Sequence, residues 1–334
     1  MKTLRIDVTR GRLAESVHQV SAVVVDADNR VIATAGDPTT FTFWRSAAKP
    51  FQAMPLVTDG AVERFGLGDD ELAVACGSHS SEAFHLAAVD RFLEKVGVGE
   101  TELACGPHRP LSAEVGDEVL RQGVTMTPRW SNCSGKHTGM LALAKHHGWP
   151  VAGYQRQGHP VQDRILAEVE RWTGVDRDEM EFAIDGCNTV CFGLPLTGMA
   201  LAYARLGASQ DAAPRRLWQA VTSRPRLIAG TKRVCTEVMA AWPGEIFAKI
   251  GAEGIYCAAI PTLRAGVALK IADGDMPAAG VALLAVLRQL LARAGHRDGC
   301  AALSGLGETA EPPILTTGGE LVGYLRAVGS IEFS

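Results

Sequence analysis

Val17-His-Gln-Val-Ser-Ala-Val-Val-Val-Asp26, then Ala27-Asp-Asn-Arg30, then Val31-Ile-Ala-Thr34 is the stretch on which the fold turns. Two runs rich in β-branched residues flank a four-residue polar turn, a pattern that predicts a β-hairpin. A second pair of the same kind lies far downstream: residues 254–260, a turn over 261–265, and 266–272 ending at Asp273-Gly274. Residues 321–328 read as one more strand. Strand material therefore stands at both ends of the chain. Between them, residues 52–62, 81–96, 135–147, 161–172 and 198–206 carry helical periodicity, with Gly and Pro marking the gaps. Pro55 falls near the start of the first run, where proline is tolerated. Residues 276–295 predict a long Ala/Leu/Val helix packed on the sheet.

The expected class is α+β, an antiparallel sheet built from both termini, flanked by helices and carrying a helical insertion. Residues 1–334 read as a single catalytic unit, with an approximate sheet subdomain over 1–45 plus 245–334 and an approximate helical subdomain over 46–244. Of the 334 residues, 47% are hydrophobic and 21% charged, and the net charge is −4, a balance suited neither to nucleic acid nor to a membrane surface. Residues 1–10 hold no apolar core of signal-peptide length, and no later run is read as reaching the ~18 apolar residues of a spanning helix, so a cytoplasmic location is expected. Eight cysteines in such a chain are read as buried small hydrophobes, metal ligands or reactive thiols and not as a disulfide framework.

Five segments carry candidate chemistry. In Arg45-Ser-Ala-Ala-Lys-Pro50 the spacing brings Ser46 and Lys49 to one face of a helical turn. An amine can activate a hydroxyl only when it is itself unprotonated, which calls for burial or a nearby cation, and Arg45 is such a cation. The same residues also read as a helix cap and a snorkelling lysine. Ala75-Cys-Gly-Ser-His-Ser-Ser-Glu82 reads as a strand-like run ending in glycine and hydroxyls. There Ser80 or Ser81 can cap the next helix, and Gly77 lets Ser78 approach a substrate.

Trp130-Ser-Asn-Cys-Ser-Gly-Lys-His-Thr-Gly139 mimics a phosphate loop, but Trp130 stands where the first glycine is required and His137 replaces the hydroxyl. Asp185-Gly-Cys-Asn-Thr-Val-Cys191 offers one carboxylate and two thiols, which with Cys133 and His137 make a mixed zinc site chemically possible. In Glu245-Ile-Phe-Ala-Lys-Ile-Gly-Ala-Glu-Gly254, Lys249 is flanked by apolar residues, and Lys270 in Ala268-Leu-Lys-Ile-Ala-Asp-Gly274 is the competing amine.

Taken together, Arg45-Ser-Ala-Ala-Lys-Pro50, Ser78-His-Ser-Ser-Glu82, Cys133-Ser-Gly-Lys-His137, Asp185-Gly-Cys-Asn188 and Lys249-Ile-Gly-Ala252 resemble, in order, the motifs of the class 3, Rhizobium-type L-asparaginase family. The resemblance implies a fold like that of serine β-lactamases and glutaminases, and hydrolysis of L-asparagine to L-aspartate and ammonia. It pairs Ser46 with Lys49 and Ser78 with Lys249 around one pocket, and leaves open which serine attacks. It implies a zinc ion held by Cys133, Lys136 and Cys187, with Asp185 beside it, and a homodimer. Arg45 is expected to hold the substrate α-carboxylate or to tune Lys49. Asn132 and His137 are expected to line the pocket, with Cys235 as a neighbour. The rival readings are a glutaminase or another Ser-Lys amidohydrolase, and a non-catalytic zinc-dependent amino-acid-binding protein.

Overall fold

The computed structural model describes residues 3–334. Of the N-terminal stretch 1–10, Met1 and Lys2 lie outside the described residues, and Leu4–Arg10 is a strand. The chain forms two compact units. One holds the residues up to Ala47, Leu194–Ala208 and Glu237–Ser334; the other holds Ala48–Gly193 and Ser209–Thr236. The segment Leu194–Ala208, with its helix Leu196–Ala208, thus goes with the sheet, although the periodicity grouped it with the helical insertion.

In the first unit the strands of the large sheet are β1 (Leu4–Arg10), β2 (Leu13–Asp26), β3 (Val31–Ala35), β4 (Phe247–Ile250), β5 (Ile255–Ile260), β6 (Ala265–Ile271), β7 (Pro313–Leu315), β8 (Leu321–Gly329) and β9 (Glu332–Phe333). They make one antiparallel sheet in the order β7-β8-β1-β2-β6-β5-β4, with β3 on β2 and β9 on β3. Residues from the two ends of the chain interleave, as in the pairings Val23↔Ala268 and Ile6↔Ala327. Both expected hairpins form, and the first strand of the earlier one reaches back to Leu13.

All of β5 is buried, so both faces of the sheet are covered there. One cover is the helix Leu196–Ala208, pressed so closely on β6 that a Cβ at Gly266 would lie 1.9 Å from the Ala200 carbonyl oxygen. Another is the helix Met276–Arg293. At 18 residues and mean hydropathy 1.3 it is long and apolar enough to cross a membrane, contrary to the reading that no run reaches that length. Its apolar character has a local cause, since most of the helix is buried within the fold.

The second unit is mostly helical, with a short strand at Glu181–Ile184. Lys49–Thr58, Asp69–Cys76, Ala83–Val96 and Pro160–Thr173 pack around Ser134–His147, whose first three turns, residues 134–144, are buried on every side. Pro55 proves to be inside the helix Lys49–Thr58, because that helix starts three residues earlier than the periodicity indicates. The run before Gly77, read as strand-like, is also a helix. Its acidic first turn and the Glu71 carboxylate on the Gly68 amide at 2.7 Å supply a start signal that the apolar residues 72–76 obscure. Gly135 permits its helix to lie on the Val74 backbone, where a Cβ would sit 2.4 Å from the carbonyl oxygen.

Candidate active site

Lys49 opens a helix and is wholly buried. Its Nζ donates to the Ser78 hydroxyl at 3.0 Å, to the Asn132 carbonyl at 3.3 Å and to the Gly77 carbonyl. The helical unit therefore joins Lys49 to Ser78, a pairing absent from the sequence reading, and Asn132 enters through its backbone. Gly77 is required at this point because a Cβ there would lie 2.6 Å from the Leu227 carbonyl oxygen.

The loop bearing Ser78 is fixed at each residue. The Ser78 amide donates to the Ile228 carbonyl at 2.8 Å, the Ser80 hydroxyl to the Ala229 carbonyl at 2.8 Å and the Ser81 hydroxyl to the Trp130 carbonyl at 2.8 Å. Neither Ser80 nor Ser81 caps the following helix, since both hydroxyls are committed to other loops; His85 accepts the Glu82 amide there instead. Ser81 is held at φ 58°, a backbone cost that surrounding contacts must outweigh. His79 accepts the Ser81 amide at Nδ1 and meets Ser134 Oγ through Nε2 at 2.9 Å, which ties this loop to the start of the central helix. Burial, then the neighbouring His85 and Lys49, hold His79 neutral well below the usual histidine range. Sequence reading passed over His79; its place between two hydroxyl-bearing residues was the available signal.

The thiols of Cys133 and Cys187 and the amine of Lys136 converge in the same unit. Lys136 Nζ lies 3.0 Å from Cys187 Sγ, Cys133 hydrogen-bonds to Cys187, and all three residues are buried. The hydrogen bond from Cys187 holds Cys133 well below the usual thiol range, and the same interaction, with burial, pushes Cys187 up. Burial disfavours the Lys136 ammonium, but its neighbours Cys187, Cys133 and Asp185 outweigh it and the amine is raised. Asp185 adds negative charge and accepts the Gly186 amide at 2.7 Å, in a turn where Asn188 has φ 66°.

Among the described residues no three or more His, Cys, Asp and Glu side chains are grouped to hold a metal. A zinc ion here depends on Lys136 as third donor beside two soft thiolates. The donor types fit zinc, provided the metal displaces the lysine proton. His137 lies next door, fully buried, with Nδ1 2.7 Å from Tyr154 Oη and Nε2 turned toward the Cys187 backbone without a well-formed hydrogen bond. Burial and Lys136 hold it neutral, and Cys235 is buried in the helix Val234–Ala241.

In the sheet unit, Ser46 lies half-exposed in the short 3₁₀ turn Arg45–Ala48, entered through Arg45 at φ 55°. It does not cap the next helix, whose N-cap is Ala48 without a side-chain hydrogen bond. The Tyr203 hydroxyl fixes the turn by donating to the Ala47 carbonyl at 2.8 Å. Lys249 is wholly buried on β4, opposite Cys257, and donates to the Ile250 carbonyl at 2.9 Å. Lys270 is only half-buried, and burial lowers its pKa against the pull of Glu253 and Asp273.

Several solved structures are similar in fold. An octameric penicillin-binding protein homologue from Pyrococcus abyssi is 13% identical, over 77% of this chain and 69% of that one, with a TM-score of 0.39. A class C β-lactamase is 12% identical, over 77% and 87%, with a TM-score of 0.38. A D-alanine carboxypeptidase from Burkholderia cenocepacia is 12% identical, over 86% and 93%, with a TM-score of 0.36. A search of curated proteins gives no match. The model of the L-asparaginase II family matches residues 6–327, nearly the whole chain and all five motif segments, and on that match this chain belongs to the L-asparaginase II family.

Proposed function

We propose that the chain hydrolyses L-asparagine to L-aspartate and ammonia by serine attack assisted by lysine. Family membership supports the amidohydrolase class, and the observation that carries the reading is the buried amine of Lys49 at 3.0 Å from the Ser78 hydroxyl. In this reading Ser46, three residues before Lys49, attacks the side-chain carbonyl and its proton passes to the Lys49 amine. The tetrahedral adduct expels its nitrogen, which leaves as ammonia by taking that proton along the Lys49–Ser78 hydrogen bond. Water then opens the acyl-enzyme, its hydroxyl joining the acyl carbon and its proton passing to Ser46. Lys249, the more deeply buried of the two candidate amines on the sheet, is assigned to the same relay.

Cys133, Lys136 and Cys187 would hold zinc, with Asp185 beside them; when bound, the ion supplies a positive charge that orients the substrate. Ammonia release from L-asparagine and L-glutamine, measured for the parent, S46A and S78A, tests the scheme. Each variant is expected to lose at least 10²-fold on asparagine. Parent-like rates within tenfold, about 1.4 kcal/mol of barrier, would discard the serine in question. Protein purified without chelator is expected to contain one zinc per chain, lost in C187A; full activity in metal-free protein would remove zinc from the scheme.

A further inference from the structure

Residues 227–233 form a strap along the loop that carries Ser78. The Ser78 amide and the Ser80 hydroxyl donate to the carbonyls of Ile228 and Ala229, each at 2.8 Å. From the strap, the Thr231 amide and hydroxyl donate to the Glu82 carboxylate at 2.7 and 2.6 Å. The strap turns through Gly230 at φ 129° and Lys232 at φ 57°, and the Thr236 hydroxyl ties the Gly230 carbonyl at 2.6 Å. These contacts set Arg233, half-buried, with Nη1 3.2 Å from the Ser80 hydroxyl.

Among the described residues that is the one hydrogen bond Arg233 makes, and it enters no ion pair. Other half-buried arginines of the helical unit hold carboxylates: Arg164 is 2.7 Å from Asp59, and Arg216 is paired with Asp69. The carboxylate bound to the strap, Glu82, is already engaged by Thr231. A partly desolvated guanidinium with most of its planar fork unused is a receptor for a carboxylate. Ser80 is two residues beyond Ser78, so their α-carbons are at most about 7 Å apart. The fork therefore meets the Ser78 loop two residues beyond Ser78 itself.

We infer that Arg233 binds the α-carboxylate of the substrate. This rests on the asparaginase reading and assigns to Arg233 the contact that sequence resemblance offered to Arg45. The test compares R233M and R233K with the parent on L-asparagine and on β-alaninamide, which is asparagine without its α-carboxylate, and measures L-aspartate binding by calorimetry. R233M is expected to raise KM for asparagine about 10- to 100-fold with little change in kcat, to weaken L-aspartate to the same degree, and to leave β-alaninamide kinetics unaltered. R233K should fall between. Equal losses on both amides would show a merely structural role. An unchanged asparagine KM, or no L-aspartate binding by the parent, would also overturn the assignment. A parent that binds L-aspartate but releases no ammonia would instead fail the hydrolytic reading and leave Arg233 to be judged by calorimetry.

Discussion

Acidification through the histidine range is expected to weaken the helical unit, and His85 sets the size of the effect. This ring is wholly buried; its Nδ1 accepts the Glu82 amide at 3.2 Å and its Nε2 donates to the Arg226 carbonyl at 2.8 Å. Only a neutral imidazole with its proton on Nε2 satisfies both. A second proton would set one N–H against another. Burial pushes the pKa of His85 down from 6.5 to about 4, against the opposing pull of the Arg226 carbonyl and Glu82. The unfolded chain therefore takes up this proton before the folded one does. The stability is fully present above about pH 6.5 and is lost as the pH falls toward 4. The loss attributable to this one ring is about 2 kcal/mol at pH 5 and about 3 kcal/mol below pH 4.

Urea unfolding of the parent and H85Q at pH 7 and pH 5, followed by tryptophan fluorescence, isolates the term. Glutamine can still donate to the Arg226 carbonyl but has nothing to protonate. The stability lost between the two pH values should be smaller in H85Q by about 2 kcal/mol. His79 stacks on His85 with ring centroids 5.2 Å apart, so the difference between parent and H85Q includes the charge repulsion between the two rings. Identical losses in parent and variant would refute the argument.

Two further substitutions test the site. K49M keeps the length of the side chain but removes the donor shared by Ser78, Gly77 and Asn132; ammonia release from L-asparagine should fall by about 10²- to 10⁴-fold, and activity within tenfold of the parent would exclude Lys49 as the base. G135A drives a methyl to 2.4 Å from the Val74 carbonyl oxygen, so thermal unfolding should show a loss of about 1 to 3 kcal/mol, and an unchanged melting curve would mean that the two helices separate at little cost.

The hairpins at the two ends of the chain were legible because β-branched runs broken by polar turns have few other uses. Helices such as Ala83–Val96 and Pro160–Thr173 were legible because one face is apolar and the other is not. The helix Asp69–Cys76 was misread because full burial removes its periodicity, leaving an apolar run that suits a strand as well. Strand Leu4–Arg10 went unread because its pairing with a strand from the far end of the chain, not its own composition, makes it a strand.

By itself the sequence determined which residue types are available for chemistry and, through turn residues and periodicity, most of the scaffold that carries them. Tertiary structure decided which groups meet. Lys49 reaches a hydroxyl and two carbonyls drawn from segments 28 to 83 residues away, and Arg233 is left without a carboxylate by a strap whose other partners are already taken. The physical reason is that hydrogen bonds and charges act over a few ångströms in space, whereas local sequence patterns fix conformation only over a turn or two; the encounters between distant segments come from burying the apolar faces around Ser134–His147.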